Sequence, residues 1–148
     1  MIITDETLLR RPCSDALPEE VESIINKLED ELKHSASLGR EGIGLAAPQI
    51  GILKKIAIVR IPTNNGLLSI DLVNCKIANG YNKAIFKNEG CLSFPDRYEK
   101  TMRYQEIYVI ENLVSPHSFI ATGLMAVAIQ HELNHLQNIL LSDLAIKD

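Results

Sequence analysis

Apolar positions recur along this chain with more than one period. Between residues 18 and 34, Val21, Ile24, Ile25, Leu28 and Leu32 fall on one face at helical spacing, which predicts a helix with that face against a core. Pro18 sits near its first turn, Glu19 and Glu20 suit the positive end of the helix dipole, and Ser14 or Asp15 is placed to cap it. After a Gly-rich turn at 42–44 the pattern changes. Residues 55–61 and 67–73 read as strands, and Thr63, Asn64, Asn65 and Gly66 between them predict a tight hairpin. Residues 106–110, rich in β-branched side chains and including Tyr108, predict another strand. A second helix is predicted from 123 to about 137, where Leu124, Val127, Ala128 and Ile129 supply the apolar positions. Strands in the middle with helices at each end predict an α+β fold rather than an alternating βαβ array. No repeat, low-complexity stretch or boundary divides the chain, so residues 1–148 are expected to form a single domain.

Composition narrows the function classes. A hydrophobic content of 46 % allows a sizeable core within 148 residues. The net charge of −4 argues against a nucleic-acid-binding surface. No apolar run reaches the roughly 18 residues of a membrane span, and the early acidic residues of MIITDETLLRRPCSD do not suit a secretory signal. Cys13, Cys75 and Cys91 are too few and too odd in number for a disulfide framework, which points to a reducing, cytoplasmic compartment.

The chemistry concentrates at His131-Glu132-Leu133-Asn134-His135. On a helix, positions i and i+4 are neighbours, so both imidazoles can reach one metal ion. Glu132 projects about 100° away from His131 but can still approach a water at that ion. A catalytic site of this kind needs a third protein ligand, and His34, His117, Cys91 or a carboxylate could supply it. His34 ends the first helix and His117 follows Ser115-Pro116 in a turn, so solvated roles suit both better. Cys91 alone would read as a buried structural thiol; beside a His pair it becomes a plausible thiolate ligand. Gly42-Ile43-Gly44-Leu45-Ala46-Ala47-Pro48-Gln49 lacks the spacing and the Lys of a phosphate loop and by itself reads as a structural turn.

Together these segments resemble the peptide deformylase family, whose three signature motifs occur in the same order. Gly42, Gly44, Leu45, Ala46, Ala47 and Gln49 match the first motif, Glu89 to Ser93 the second, and His131, Glu132 and His135 the third. The resemblance implies antiparallel sheets packed around a central helix bearing the His pair. It implies that Cys91, His131 and His135 hold one divalent metal, Fe²⁺ in the cell, with Zn²⁺, Ni²⁺ or Co²⁺ possible in purified protein. It also implies that Glu132 shuttles the proton while the Gln49 amide and the Leu92 N–H polarise the formyl oxygen. Ile43, Gly44, Gly90, Leu124, Val127 and Ala128 would face the substrate, which would be N-formyl-Met peptides and nascent chains.

Some positions depart from the family pattern. Asn134 stands where Asp is common, and Asn138 where Gly is common; Asn is the next best residue for a left-handed helix end. The long C-terminal helix of many bacterial members is absent from this sequence, as in phage-encoded forms, so ribosome docking is not expected. Glu89 and Arg103 are expected to pair and brace the Cys91 loop. A zincin-like protease shares the His pair but normally lacks the Cys loop. A non-catalytic metal-binding module would not be expected to keep Glu132, Gln49 and Cys91 together. A blue-copper site would not place its two His on one helix turn.

Overall fold

A computed structural model of the chain describes residues 1–147. A short helix, α1 (Glu6–Leu9), precedes the long helix α2 (Val21–Ser37). Six strands follow: β1 (Gly44–Ala46), β2 (Ile56–Thr63), β3 (Gly66–Val73), β4 (Lys76–Cys91), β5 (Phe94–Ile110) and β6 (Phe119–Thr122). Helix α3 (Gly123–Leu136) and a short α4 (Leu141–Leu144) close the chain. The strands form two three-stranded antiparallel sheets, β1-β2-β3 and β4-β5-β6.

Helix α2 begins as predicted on Pro18, with a single 3-10 turn at Pro18–Glu20. Its start is capped differently from expectation. The Glu20 carboxylate accepts the Leu17 N–H at 2.9 Å, reaching back from inside the helix. Asp15 instead pairs with Lys55, and Ser14 bridges to the segment before β2. Ile24, Leu28 and Leu32 are the buried stripe, as their spacing requires.

Strand β2 explains the unbroken apolar run that marks it in the sequence. Ile56 and Ile58 pack with α2, whereas Ala57, Val59 and Ile61 pack with α3. Both faces are therefore buried, and the strand is apolar at successive positions rather than at alternate ones. The β2–β3 hairpin pairs Thr63 with Gly66 across Asn64 and Asn65, and Gly66 adopts φ +114°, which only glycine takes without strain.

Helix α3 is buried around most of its circumference, with every position from Ala126 to Leu133 buried. Ala126, Ala128, Ile129, Leu133 and Leu136 pack between the two sheets, against Leu72 of one and Ile107, Val109 and Ala121 of the other. The helix is thus the central layer, and polar side chains on it lie in the interior, where each one left without a partner is costly. Its end is set by Asn138, whose φ of 63° and N–H bond to the His135 carbonyl, 3.1 Å, stop the helix one residue past its cap.

Strands β4 and β5 form a long hairpin that runs far beyond the strand predicted at 106–110. Most of β4 is exposed, and its pairing slips between Ile77 and Asn79 and again between Phe86 and Glu89. Each slip resets the two-residue alternation, so no single period marks the strand.

Candidate active site

Gln49, Cys91, His131, Glu132 and His135 meet where β1, the end of β4 and α3 converge. His131 and His135, four residues apart on α3, bring their ring centroids to 5.0 Å. Cys91 ends β4 beside them, with its Sγ 3.3 Å from His135 Nε2. The ligand atoms of Cys91, His131 and His135 all lie within 4.8 Å of one another, the one such cluster among the described residues. One thiolate sulfur and two imidazole nitrogens are a donor set for a borderline divalent ion, and three protein ligands leave a position open.

The His131 imidazole is held in place, whereas His135 Nδ1 is buried with no hydrogen-bond partner. His131 Nδ1–H donates to Glu89 Oε2 at 2.7 Å, so its Nε2 is the nitrogen left for a ligand. Glu89 is itself held: Oε1 accepts from Thr101 Oγ1 at 2.7 Å and Arg103 Nε at 2.8 Å, and Oε2 accepts from Arg103 Nη2 at 2.5 Å. The third arm of the guanidinium reaches α3, where Nη1 donates to Asn134 Oδ1 at 2.6 Å. The expected Glu89–Arg103 pair is therefore present, and Asn134 serves it as a neutral acceptor. Burial raises the Glu89 carboxyl, but the bonds from Arg103 and His131 outweigh it and bring it down to about 2.

Glu132 has the opposite environment. Burial pushes its carboxyl up to about 7 against the pull of His131. Its Oε1 is buried with no hydrogen-bond partner, and its Oε2 lies against Gly44. A Cβ at position 44 would come within 2.5 Å of that oxygen, so only glycine leaves the carboxylate where it is. The Glu132 carboxyl thus keeps one buried oxygen without a partner beside the Cys91, His131 and His135 cluster.

Gln49 is almost fully buried, and its amide is oriented by its own turn. Oε1 accepts the Ala46 N–H at 2.9 Å. That leaves Nε2 facing the cluster, 3.0 Å from Ser93 Oγ and 3.6 Å from Cys91 Sγ. Leu92 and Ser93 form the turn that joins β4 to β5.

A cavity of about 330 Å³ opens beside the cluster. Ile43, Gly44, Gly90, Val127 and Ala128 line it together with Gln49, Cys91, Leu92, His131 and Glu132. Leu124 lies one turn before Ala128, is exposed, and is not among the lining residues. His34 lies in the last turn of α2, and His117 Nδ1 bonds the Asn112 carbonyl; neither joins the cluster. Burial raises both other thiols, Cys75 to about 12, which leaves them protonated.

Two contributors escaped the sequence reading. Thr101 alternates with Arg103 on the buried face of β5, a spacing that would have drawn notice had β5 been recognised that far upstream. Ser93 lies inside a matched motif but carried no assignment until Gln49 was found on it.

The family model described as polypeptide deformylase matches residues 1–148. Peptide deformylase 1 of Bacillus subtilis (strain 168) is 41 % identical over 120 residues, covering 78 % of this chain and 71 % of the relative. Peptide deformylase of Helicobacter pylori (strain P12) is 33 % identical over 135 residues, 86 % of this chain and 77 % of the relative. A probable peptide deformylase from Synechococcus phage S-SSM7 superposes with a TM-score of 0.84 at 31 % identity, covering 97 % and 98 % of the two chains. A class I type b peptide deformylase from Acinetobacter baumannii, solved with Met-Ala-Ser bound, superposes with a TM-score of 0.79 at 27 % identity, covering 97 % and 96 %.

Proposed function

The chain belongs to the peptide deformylase family and has that family's hydrolytic activity, and from this premise we propose how its own residues divide the work. Cys91, His131 and His135 hold one divalent ion, Fe²⁺ in the cell, with Zn²⁺, Ni²⁺ or Co²⁺ able to replace it in purified protein. When bound, such an ion would supply Lewis acidity, lowering the pKa of a water held at the site towards neutrality.

The substrate is an N-formyl-Met peptide at the end of a nascent chain. Its methionine side chain enters the cavity beside Ile43, Gly44, Val127 and Ala128, and its backbone passes Gly90. The Met-Ala-Ser bound to the Acinetobacter protein is the kind of peptide such a reaction leaves behind. Glu132 takes a proton from water as the oxygen adds to the formyl carbon. Negative charge then builds on the formyl oxygen, where Gln49 Nε2–H and the Leu92 N–H donate, each worth about 3 kcal/mol by comparison with other oxyanion holes. Glu132 returns the proton to the amide nitrogen as the C–N bond breaks, which leaves formate and a free amine.

One catalytic domain suffices for this chemistry, because Gln49 from the first half of the chain and α3 from the second share one site. No helix among the described residues is long and apolar enough to cross a membrane. We place the reaction in the cytoplasm, where formylated chains emerge.

The observation that carries this reading is the buried, unpartnered Oε1 of Glu132 beside the Cys91, His131 and His135 cluster. Protein purified without oxygen and loaded with Fe²⁺ or Ni²⁺ should release a free amine from a short formyl-Met peptide. Glu132→Gln should keep the metal and lose activity by roughly 10²–10⁴-fold. A variant that keeps its rate would remove Glu132 from the mechanism, and cleavage of internal peptide bonds instead would favour a protease.

A further inference from the structure

We propose that Thr101 is a positioning residue of the metal site: its buried hydroxyl holds the Glu89 carboxylate in one place, and through Glu89 it fixes the His131 ring for the ion. The inference rests on Cys91, His131 and His135 being the ligands.

Thr101 reaches Glu89 by strand geometry. Glu89 pairs with Glu99 across the hairpin, and Thr101 lies two residues further along β5. Side chains two apart on a strand share a face, so Thr101 and Arg103 project to the side on which Glu89 stands. Thr101 is 0 % exposed. A valine would fill nearly the same space with no polar atom to satisfy, so packing alone gives no reason for a hydroxyl here. That hydroxyl donates to Glu89 Oε1 at 2.7 Å.

The bond completes the carboxylate. An ionised carboxylate offers about four acceptor positions. On Glu89, Thr101 Oγ1 and Arg103 Nε occupy Oε1, and Arg103 Nη2 and His131 Nδ1 occupy Oε2. The Arg103 bonds form a fork, itself anchored from α3 by Asn134. Thr101 and His131 flank that fork, one on each oxygen. With both in place the carboxylate has a partner on either side. Without Thr101 the remaining flanking bond is the one to the imidazole, so the carboxylate can shift and carry the ring with it. His131 Nε2 stays aimed at the cluster only while Nδ1 keeps a fixed acceptor, and looseness at Glu89 therefore reaches the metal.

The test loads the full chain with Zn²⁺ or Ni²⁺ and follows loss of the ion to excess chelator. Thr101→Val should release it about tenfold faster than wild type. Thr101→Ser, which keeps the hydroxyl, should stay near the wild-type rate. Thr101→Ala against Thr101→Ser gives the same comparison at smaller volume, should the valine variant fold poorly. In a Glu89→Gln background Thr101→Val should add nothing, because its effect runs through Glu89. In zinc-loaded protein the His131 Nδ1–H proton should be visible by NMR in wild type and Thr101→Ser, and lost to exchange in Thr101→Val. Wild-type release from Thr101→Val and Thr101→Ala overturns the proposal. So does equal loss in the Ser and Ala variants, which would make the methyl group the part that matters, or full additivity with Glu89→Gln. A wild type that retains no metal would sink the ligand assignment, while the Nδ1–H resonance of the unloaded chain would still decide the role of Thr101.

Discussion

Arg103 and Arg10 make the same kind of bond in two very different places. Each holds a carboxylate with two nitrogens: Arg103 grips Glu89 at 2.8 and 2.5 Å, and Arg10 grips Asp143 at 2.8 Å on both arms. Arg103 ties together the two strands of the β4–β5 hairpin, and Arg10 ties the end of α1 to α4. Yet Arg103 and Glu89 are each 5 % exposed, whereas Arg10 and Asp143 are 42 % and 37 % exposed. Around the first pair stand further groups that depend on it: Thr101, Asn134 and, through Glu89, the ligand His131. The second pair stands at the surface, with the Asn138 carbonyl and the Leu140 N–H as its further partners among the described residues. Geometry alone therefore does not rank ion pairs; the cost of leaving one member without its partner does.

The largest effect should come from breaking the buried pair on one side. Arg103→Ala leaves the Glu89 charge buried and Asn134 without its donor, and should lower unfolding free energy by about 3–5 kcal/mol. Urea denaturation measures that loss, and metal analysis should show a depleted site because His131 loses its fixed orientation. A stable variant with full metal content would mean that the pair braces nothing.

Acid should act on the same network with nearly the same force. The Glu89 carboxyl falls from an ordinary 4.5 to about 2 in the folded chain. A depressed pKa gives stability that is complete above the unfolded value and lost as pH falls through the folded one. Metal-free protein should therefore lose on the order of 3 kcal/mol between about pH 4.5 and 2 from this group. In Glu89→Gln that part of the pH dependence should be absent, as urea midpoints across the window would show. An unchanged slope would assign the acid sensitivity elsewhere.

The smallest effect belongs to the exposed pair. Arg10→Ala should leave metal content and deformylation unchanged and shift the urea midpoint only slightly, with the shift vanishing at high salt. A loss as large as that of Arg103→Ala would erase the distinction between the two pairs and show that the contact between the α1 end and α4 supports the whole fold.

How far the site was legible depends on how local its parts are. The His pair and Glu132 were readable because helical geometry fixes i and i+4 on one face whatever surrounds the helix. Helix α2 was readable because burial writes its period into the residues, and β2 because its apolar run stands out between turns; that both faces of β2 are buried came only from the structure. The C-terminal stop at Asn138 was readable because few residues other than Gly accept a left-handed backbone. The three short motifs carried a resemblance that no one of them would have supported alone.

What the chain's pattern could not hold was everything decided by contact between distant segments. Cys91 is 44 residues from His135, and nothing in its own neighbourhood distinguishes a ligand from a buried thiol. The length of β4 and β5 was hidden because an exposed, bulged hairpin is stabilised by its pairing and needs no apolar period of its own. The pairing of β4 slips between Phe86 and Glu89, so that Glu89 faces His131 is known only once the register is known. Local geometry and burial leave their mark residue by residue, and the sequence by itself determined the helices, the apolar strands and the metal pair. Register, orientation and charge pairing are properties of two segments at once, and only the tertiary structure brings the second segment into place.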